Sequence, residues 1–370
     1  MKNWKIWLSP PQLSGLELPH LQQTLQENWI TTTGPQVTQF TNLLKQYTSA
    51  NYALATNSGT AALHLALLSL GIGKGDYVIC PTFTFAASAF PILYVGATPI
   101  FIDSDSDSWN MSPELLQQAI VDFLKKGIKP AAIIAVHIYG NPCDWDGIKP
   151  LADQYNIPII EDAAQSLGST YQNRMTGTLG VCGMYSFNGN KIVTTSGGGM
   201  LVTNNNNLFE AACLLANQSN SGTNYFLHQE TGYNYRMSNV LAAIGIAQLS
   251  VIEERVARKR AIFTKYKSGL LGQIEFQLEL SDSISNRWLS CLLFSNQEIR
   301  DAVHDKLTEQ SIESRFLMKP LHQQPVFATY PVYRNGVADD LFNRGLCIPS
   351  GTGLSDDEVG SIINSINELA

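Results

Sequence analysis

Short apolar runs that stop at polar or glycine-rich residues recur along the first half of the chain, and helical patterns lie between them. Four such runs are DYVICPTFTF, PIFIDSD, AAIIAVHIYG and IPIIEDAA. Continuous apolar runs of this length are typical of strands buried on both faces, and their alternation with helices predicts a wound α/β sheet. Ligands of such sheets bind at the carboxyl ends of the strands. The residues at which the apolar runs stop are therefore the first candidates for a functional site.

The pattern changes after about residue 250. A charged helix, VIEERVARKRAIFTKY, is followed by shorter mixed segments that end in SDDEVGSIINSINELA. A chain of 370 residues is long enough for a large α/β domain with a smaller companion. We therefore expect an N-terminal arm over residues 1–25, a large domain over 26–250 and a small C-terminal domain over 251–370.

Charge and cysteine usage exclude several classes of partner. The net charge is −7, without a run of Lys or Arg, which disfavours nucleic acid and anionic membrane surfaces as partners. No apolar run has membrane-spanning length. The six cysteines form no CxxC pair and have no histidine at metal-ligand spacing, which indicates reduced thiols and no metal site. We expect a soluble, cytoplasmic protein.

One lysine stands out in the segment SFNGNKIVTTSGGGM. Lys191 is the only charged side chain between Met175 and Phe209. Its neighbours offer no ion pair, and burial of an unpaired ammonium lowers its pKa. Such an amine can attack an aldehyde and form a Schiff base. On these residues alone, a surface lysine on a glycine-rich loop is the alternative.

Three further features favour the reactive lysine. Asp162 ends an apolar run and could keep a pyridine nitrogen protonated, although a helix N-cap is an equal alternative. The NSGT segment at 57–60 opens a helix whose free N–H groups can bind phosphate, and Ser186 offers a second hydroxyl; a plain capped helix is the alternative. Phe85, at the end of another run, could stack on a flat ring or simply belong to the core.

The order of these features resembles the sugar aminotransferases of the DegT/DnrJ/EryC1/StrS family, which use pyridoxal phosphate. The most specific part is EDAAQSLGSTYQNRMTGTLGVCGMYSFNGNK, and the resemblance runs from IWLSPPQLSG near the start to CIPSG near the end. It implies a fold type I transferase, in which a large domain with a mainly parallel, seven-stranded sheet is joined to a smaller C-terminal α/β domain.

The resemblance also implies roles for individual residues. Lys191 is implied as the Schiff-base residue and proton carrier, Asp162 as the partner of the pyridine nitrogen, and Gln165 as a neighbour of the phenolic oxygen of the ring. Phe85 falls where the family stacks an aromatic on the ring. The implied phosphate ligands are Gly59, Thr60 and Ser186.

The segment GYNYRMSNVLAAIGIAQL resembles the part of the family that supplies a phosphate ligand to the neighbouring subunit. The residue concerned is Asn234, which implies an obligatory homodimer with shared active sites. Without the resemblance, Asn234 would be a turn-former between Tyr233 and Tyr235.

The implied reaction has two halves. L-Glutamate converts the cofactor to pyridoxamine phosphate, and the amino group then passes to a keto group of a nucleotide-linked sugar. The segments KIWLSPPQLSGLEL, NWITTTGPQVTQFT, SNRWLSCLLF and IESRFLMKPLHQQPVF are similar to those of members that make 4-amino sugars from UDP-linked 2-acetamido-4-keto-6-deoxyhexoses for surface glycans. A dTDP-keto-sugar 3- or 4-aminotransferase is the alternative substrate class.

The same resemblance suggests substrate contacts. Thr32, in the loop from Thr31 to Gly34, is expected to line the sugar pocket. Arg315, Lys319 and His322 are expected to meet the diphosphate or the nucleotide. The chain departs from the common family pattern at Phe316 and Met318, where relatives have Pro and Trp, so the nucleotide pocket can differ.

Two rival functions keep the same fold. Related sugar dehydratases replace the Schiff-base lysine by histidine, and the presence of Lys191 disfavours that class. A non-catalytic sensor would be expected to have lost Lys191 or Asp162, and both are present.

Overall fold

The computed structural model describes residues 3–222 and 224–369. Its strands are β1 (Tyr52–Thr56), β2 (Tyr77–Pro81), β3 (Thr98–Ile102), β4 (Ala132–Val136), β5 (Ile159–Asp162), β6 (Thr170–Tyr171), β7 (Arg174–Met175), β8 (Cys182–Ser186), β9 (Gly199–Thr203), β10 (Glu275–Phe276), β11 (Ser283–Ile284), β12 (Ser290–Leu293), β13 (Arg315–Phe316), β14 (Val332–Tyr333) and β15 (Gly345–Ile348).

The α-helices are α1 (Glu17–Gln26), α2 (Pro35–Thr48), α3 (Gly59–Ser69), α4 (Phe90–Tyr94), α5 (Pro113–Lys125), α6 (Trp145–Gln154), α7 (Asn206–Ala216), α8 (Asn239–Leu249), α9 (Ile252–Gly269), α10 (Gln297–Glu309), α11 (Val337–Arg344) and α12 (Asp356–Asn367). Short 3₁₀ turns occur at Ala86–Ser88, Ile138–Gly140 and Leu321–Gln323.

The principal sheet has eight strands in the order β1-β9-β8-β5-β4-β2-β3-β14. Its neighbouring strands run parallel except for β9, which is antiparallel to both β1 and β8. Apolar clusters cover both faces, and β4 is buried along its whole length. The predicted wound, mainly parallel sheet is confirmed. An eighth strand joins the expected seven, because the two residues of β14 pair with Phe101 and Ile102 of β3.

Helix α3 is buried almost all round, which explains why its sequence lacks a polar stripe. Its N-terminus is capped by Ser58, whose side chain accepts a hydrogen bond from the N–H of Ala61. A Cβ atom at Gly199, the first residue of β9, would lie 2.5 Å from the carbonyl oxygen of Ser58. Glycine at this position therefore lets the start of α3 lie against the strand that follows the Lys191 loop.

A second sheet forms from the C-terminal part of the chain, with the order β10-β12-β15-β13 and antiparallel pairing throughout. Helices α9, α10 and α12 contribute to its apolar core. Ile6 of the N-terminal segment forms a bridge with Ile312 and belongs to the same core. The N-terminal segment thus packs on the C-terminal sheet. A third, small sheet has the order β11-β6-β7. The domain limits expected at 25 and 250 stay a prediction.

Candidate active site

A cavity of about 560 Å³ lies where β5 and β8 end, beside the start of α3. Parallel strands place their carboxyl ends at one edge of the sheet, so side chains that are distant in sequence meet there. The N-terminal segment contributes Leu8 to the wall, and the C-terminal part contributes Trp288. Eight residues expected from the sequence line the cavity: Gly59, Thr60, Phe85, Asp162, Gln165, Ser186, Lys191 and Arg315.

Lys191 lies in the loop that joins the antiparallel strands β8 and β9. A turn fixes its backbone, since its N–H donates to the carbonyl of Asn188 at 2.9 Å. The Nζ atom lies 4.0 Å from the centroid of the Trp288 ring. Burial lowers the pKa of Lys191 to about 8, and the nearby Asp162 carboxylate opposes part of this shift. The amine is therefore a better nucleophile near neutral pH than an ordinary lysine.

Asp162 is the last residue of β5 and is only 5% exposed. Its Oδ2 atom accepts a hydrogen bond of 2.6 Å from the hydroxyl of Ser88, and its Oδ1 atom accepts one of 3.1 Å from the N–H of Ala164. The second bond caps a turn, because no helix begins at this point. The carboxylate thus has a fixed orientation at the cavity wall, where a protonated ring nitrogen could donate to it.

The side chain of Gln165 is held by Tyr139, which follows the end of β4. Its Oε1 atom accepts a hydrogen bond of 2.6 Å from the N–H of Tyr139. With Oε1 engaged, Nε2 is the end that can donate into the cavity. Tyr139 adopts the left-handed backbone region at φ 54°, and its hydroxyl accepts from the N–H of Met318 at 3.0 Å. Tyr139 therefore connects the two sides of the cavity wall.

The expected phosphate ligands lie together. Gly59 and Thr60 form the first turn of α3, and Ser186 ends β8. A Cβ atom at Gly59 would lie 3.1 Å from Cβ of Ser186, so these segments are in close approach. The positive end of the helix dipole and the hydroxyl groups form a suitable environment for an anion. Phe85 is 63% exposed and borders the same cavity with its ring.

Asn234 and Thr32 do not reach the cavity of their own chain. Both are exposed. The carbonyl of Asn234 accepts from the side chain of Asn57 at 3.2 Å, and the loop of Thr32 is held by the Asn239 N–H, which donates to the carbonyl of Thr31 at 2.8 Å. Their proposed roles need a second subunit and stay predictions.

The three cationic substrate candidates are separated. Arg315 lies at the cavity with a side chain that is 65% exposed, and Glu313 holds its guanidinium at 2.7 and 3.0 Å. Lys319 is exposed and lies outside the lining of the cavity, with Nζ 5.7 Å from the ring centroid of Phe342.

His322 is also absent from the lining of the cavity. Its Nδ1 atom lies 2.8 Å from the hydroxyl of Thr82, and Nε2 lies 3.0 Å from a carboxylate oxygen of Asp339. Both ring nitrogens thus face protein groups. The structure brings only Arg315 of the three to the cavity.

The two positions that depart from the family pattern, Phe316 and Met318, both line the cavity. The guanidinium of Arg300 lies 3.8 Å from the ring centroid of Phe316. This contact fixes the ring at the cavity wall.

Sequence reasoning did not find Trp288, Tyr139, Ser88 or Leu8 as site residues. Trp288 is part of the SNRWLS segment, but nothing in that segment indicates that its ring packs on Lys191. Ser88 follows Phe85 by three residues, and only the fold shows its hydroxyl on Asp162.

Comparison with known proteins agrees with this arrangement. The model of the DegT/DnrJ/EryC1/StrS aminotransferase family matches residues 11–367. The chain belongs to this family. EpsN of Bacillus subtilis, a proposed pyridoxal phosphate-dependent aminotransferase, is 46% identical over 99% of this chain and 96% of its own length. The GDP-perosamine synthase of Escherichia coli O157:H7 is 38% identical over 97% of each chain.

Among solved structures, a proposed sugar aminotransferase of Streptococcus pneumoniae in its PLP form superposes with a TM-score of 0.90. It is 28% identical, and the match covers 98% of this chain and 97% of that one. The chain described here is thus a sugar aminotransferase, and its cofactor is pyridoxal 5'-phosphate. The fold type I architecture is confirmed. The relatives named here do not single out UDP-linked substrates.

The residues of the cavity fit this cofactor. They offer a buried amine for an aldehyde, a fixed carboxylate for a ring nitrogen, and a helix N-terminus with hydroxyl groups for a phosphate. Within residues 3–222 and 224–369, no cluster of side chains could hold a metal ion, and no helix is long and apolar enough to cross a membrane.

Proposed function

We propose that this protein transfers an amino group from L-glutamate to the C4 keto group of a nucleotide-linked sugar, in the cytoplasm, for surface glycan biosynthesis. The observation that carries the proposal is the presence of the Lys191 amine and the fixed Asp162 carboxylate at one cavity. The amine would serve the covalent step, and the carboxylate at the wall of the same cavity would keep a ring nitrogen protonated.

Pyridoxal phosphate supplies the electron sink of the reaction when it is bound. In our proposal, Lys191 would hold the cofactor at rest, and its amine would act as the proton carrier of the amino transfer. A pKa of about 8 suits both tasks, because the amine can accept and donate a proton near neutral pH. Asp162, held by Ser88 and Ala164, would keep the ring nitrogen protonated, and an Nε2–H of Gln165 would donate to the ring oxygen.

The remaining residues complete the proposal. Gly59, Thr60 and Ser186 bind the phosphate, and Phe85 stacks on the ring. Asn234 of a second subunit adds a further phosphate ligand, so the protein acts as a homodimer with shared active sites.

For the sugar nucleotide, Arg315 is the proposed cationic contact, and its position in the lining of the cavity supports this. Thr32, Lys319 and His322 stay candidates for contacts that a second subunit or the bound substrate would complete.

The nucleotide distinguishes two candidates. The arm and the SNRWLS segment favour a UDP-linked 2-acetamido-4-keto-6-deoxy sugar, whereas the relative at 38% identity is named for a GDP-linked product. The dTDP-linked keto sugars are the third possibility. The experiment therefore compares sugars linked to the three nucleotides.

The experiment loads the purified protein with pyridoxal phosphate and L-glutamate and offers UDP-, GDP- and dTDP-linked 4-keto sugars, followed by mass spectrometry of the product. Replacement of the ketone oxygen by an amine, with equimolar 2-oxoglutarate, is the expected result with one of the three. Conversion of the cofactor by glutamate without amination of any of the three sugars would overturn the assignment of the acceptor. Failure of glutamate to react would overturn the assignment of the donor, and an active Lys191→Ala variant would overturn the role of the lysine.

A further inference from the structure

A second buried lysine lies behind the cavity wall. Lys259, on α9, is only 3% exposed. Its Nζ atom donates to the carbonyl of Trp288 at 2.8 Å, the carbonyl of Ser350 at 2.9 Å and the hydroxyl of Ser9 at 3.3 Å. Three acceptors match the three protons of an ammonium group. Over the described part of the chain, Lys259 has no ion pair with a carboxylate.

A buried lysine without a carboxylate partner is costly for the fold. Burial and, to a smaller extent, the positive charge of Arg255 on the same helix together lower the pKa of Lys259 to about 7. An apolar side chain of similar length would avoid this cost. What the amine of Lys259 contributes instead is its hydrogen bonds to these three acceptors.

Those acceptors come from three distant segments: the N-terminal arm, the segment before β12 and the segment after β15. The segments also bond to one another, since the N–H of Ser350 donates to the carbonyl of Leu8 at 2.6 Å and its hydroxyl accepts from the N–H of Ser290 at 2.7 Å. Lys259 is the point at which all three converge.

One of the three acceptors is the residue that packs on the catalytic candidate. The ring of Trp288 lies 4.0 Å from Nζ of Lys191, and its Nε1 atom donates to the carbonyl of Asn190 at 2.8 Å. The backbone N–H of Trp288 donates to the side chain of Asn286 at 2.8 Å. With the carbonyl held by Lys259, every polar group of Trp288 is engaged. The Nε1 bond orients the indole ring, and the two backbone bonds fix the residue that carries it.

We propose that Lys259 is a positioning residue of the active site, which holds Trp288 against the amine of Lys191 from behind the cavity wall. Trp288 in turn restricts the amine to one approach and favours its charged form through the face of the ring. The inference rests on the proposed role of Lys191 and adds two residues to the machinery that positions it.

The test compares Lys259→Met with Lys267→Met, which removes an exposed lysine of the same helix. We expect Lys259→Met to lower kcat about tenfold, with KM for L-glutamate changed less than about twofold, since misplacement of the amine affects the chemical step more than binding. In the variant loaded with pyridoxal phosphate, the midpoint pH of the change in visible absorption should differ from that of wild type. In the cofactor-free protein, hydrogen exchange of residues 187–195 should become faster. Lys267→Met should behave as wild type in all three measurements.

A double variant separates positioning from general destabilisation. Lys259→Met is introduced into wild type and into a Trp288→Leu background, and Trp288→Leu alone should reproduce the loss of kcat and the shifted absorption. If Lys259 acts through Trp288, its substitution adds no further change in kcat or absorption to Trp288→Leu, although it still lowers the melting temperature.

Equal additional losses of kcat in both backgrounds would overturn the inference, as would a folded Lys259→Met variant with wild-type kcat and absorption. Should Lys259→Met fail to fold, the proposal stands on Trp288→Leu, whose wild-type absorption and kcat would overturn it. These outcomes leave the role of Lys191 intact, because that role is tested separately by Lys191→Ala.

Discussion

Two lysines of this protein, the half-buried Lys191 and the buried Lys259, have a lowered pKa but differ in the groups that surround their amines. Burial brings the pKa of Lys191 to about 8 and that of Lys259 to about 7. Lys259 is saturated by three oxygen acceptors inside the protein. Lys191 faces a cavity, with the carboxylate of Asp162 nearby and the ring of Trp288 beside its amine.

The comparison shows that a depressed pKa does not by itself mark a reactive amine. A nucleophile needs a free lone pair and room for the atom it attacks, and the two lysines differ in both. Lys191 is on a loop between strand ends, where the sheet leaves space. Lys259 is on a helix packed against the C-terminal sheet, where each donor already has an acceptor. This difference in geometry supports the proposed chemical role of Lys191 and the proposed positioning role of Lys259.

The largest expected effect follows from removal of the reactive amine. Lys191→Ala should lower transamination by at least about a thousandfold, because no other lysine among the described residues lines the cavity to supply the covalent step and the proton transfer. Release of 2-oxoglutarate from L-glutamate measures this loss, and circular dichroism checks the fold. The comparison would fail if Lys259→Met, rather than Lys191→Ala, abolished turnover.

The second prediction concerns the carboxylate of Asp162, which raises the pKa of Lys191. Asp162→Asn should lower activity about a hundredfold, since a neutral amide cannot hold the ring nitrogen protonated. It should also lower the pKa of Lys191 below about 8, because Asp162 raises it. The pH dependence of Lys191 modification by an amine-reactive reagent, followed by peptide mass spectrometry of the cofactor-free protein, measures the shift. An unchanged pH profile would show that the carboxylate does not act on the amine.

A smaller effect is expected from the hydroxyl that orients this carboxylate. Ser88→Ala removes the 2.6 Å hydrogen bond to Asp162 and should reduce kcat/KM severalfold, in line with about 1 kcal/mol for such a bond. Ser88→Thr keeps the hydroxyl and serves as the matched control. Equal activity of the alanine and threonine variants would indicate that the backbone N–H of Ala164 alone orients the carboxylate.

The smallest effect is a pH dependence of stability that distinguishes the two lysines. The pKa of Lys259 is lower in the folded state than the unfolded value of 10.5, so the unfolded chain binds the extra proton between about pH 7 and 10.5. The free energy of unfolding should therefore rise with pH in this window, by on the order of 1 kcal/mol between about pH 8 and 9.

Urea unfolding at these two pH values measures the slope. Lys259→Met should flatten it, and Lys191→Ala should flatten it less, because the pKa of Lys191 is closer to the unfolded value. Lys267→Met should retain the wild-type slope. A wild-type slope in Lys259→Met would show that the buried lysine does not titrate in this range.

The parts of the site that followed from the sequence are those that lie at strand ends in one order along the chain. Asp162, Ser186 and the start of α3 each stand where an apolar run stops or a helix begins, and the parallel sheet carries them to the same edge. Phe85 also stands at the end of an apolar run, whereas Gln165 was found through the family motif, and both line the same cavity.

Residues brought in by tertiary contacts were beyond this reasoning. The carbonyl of Trp288 meets Lys259 across 29 positions of sequence, and Leu8 reaches the cavity because the N-terminal segment is held by a bridge from Ile6 to Ile312, in the segment before β13. No local pattern encodes such contacts. The eighth strand was missed for the same reason, since the two residues of β14 carry too little periodicity to indicate a strand.

The sequence by itself determined the wound α/β sheet, the family and the identity of the amine, because buried parallel strands and the residues at their ends leave a local pattern in the chain. Only the tertiary structure decided that the amine of Lys259 is fully hydrogen-bonded whereas that of Lys191 faces a cavity. It also decided which of Arg315, Lys319 and His322 reaches that cavity. Those outcomes depend on acceptors and space contributed by segments far apart in the sequence, and that contribution exists only once the two sheets and the N-terminal arm have packed together.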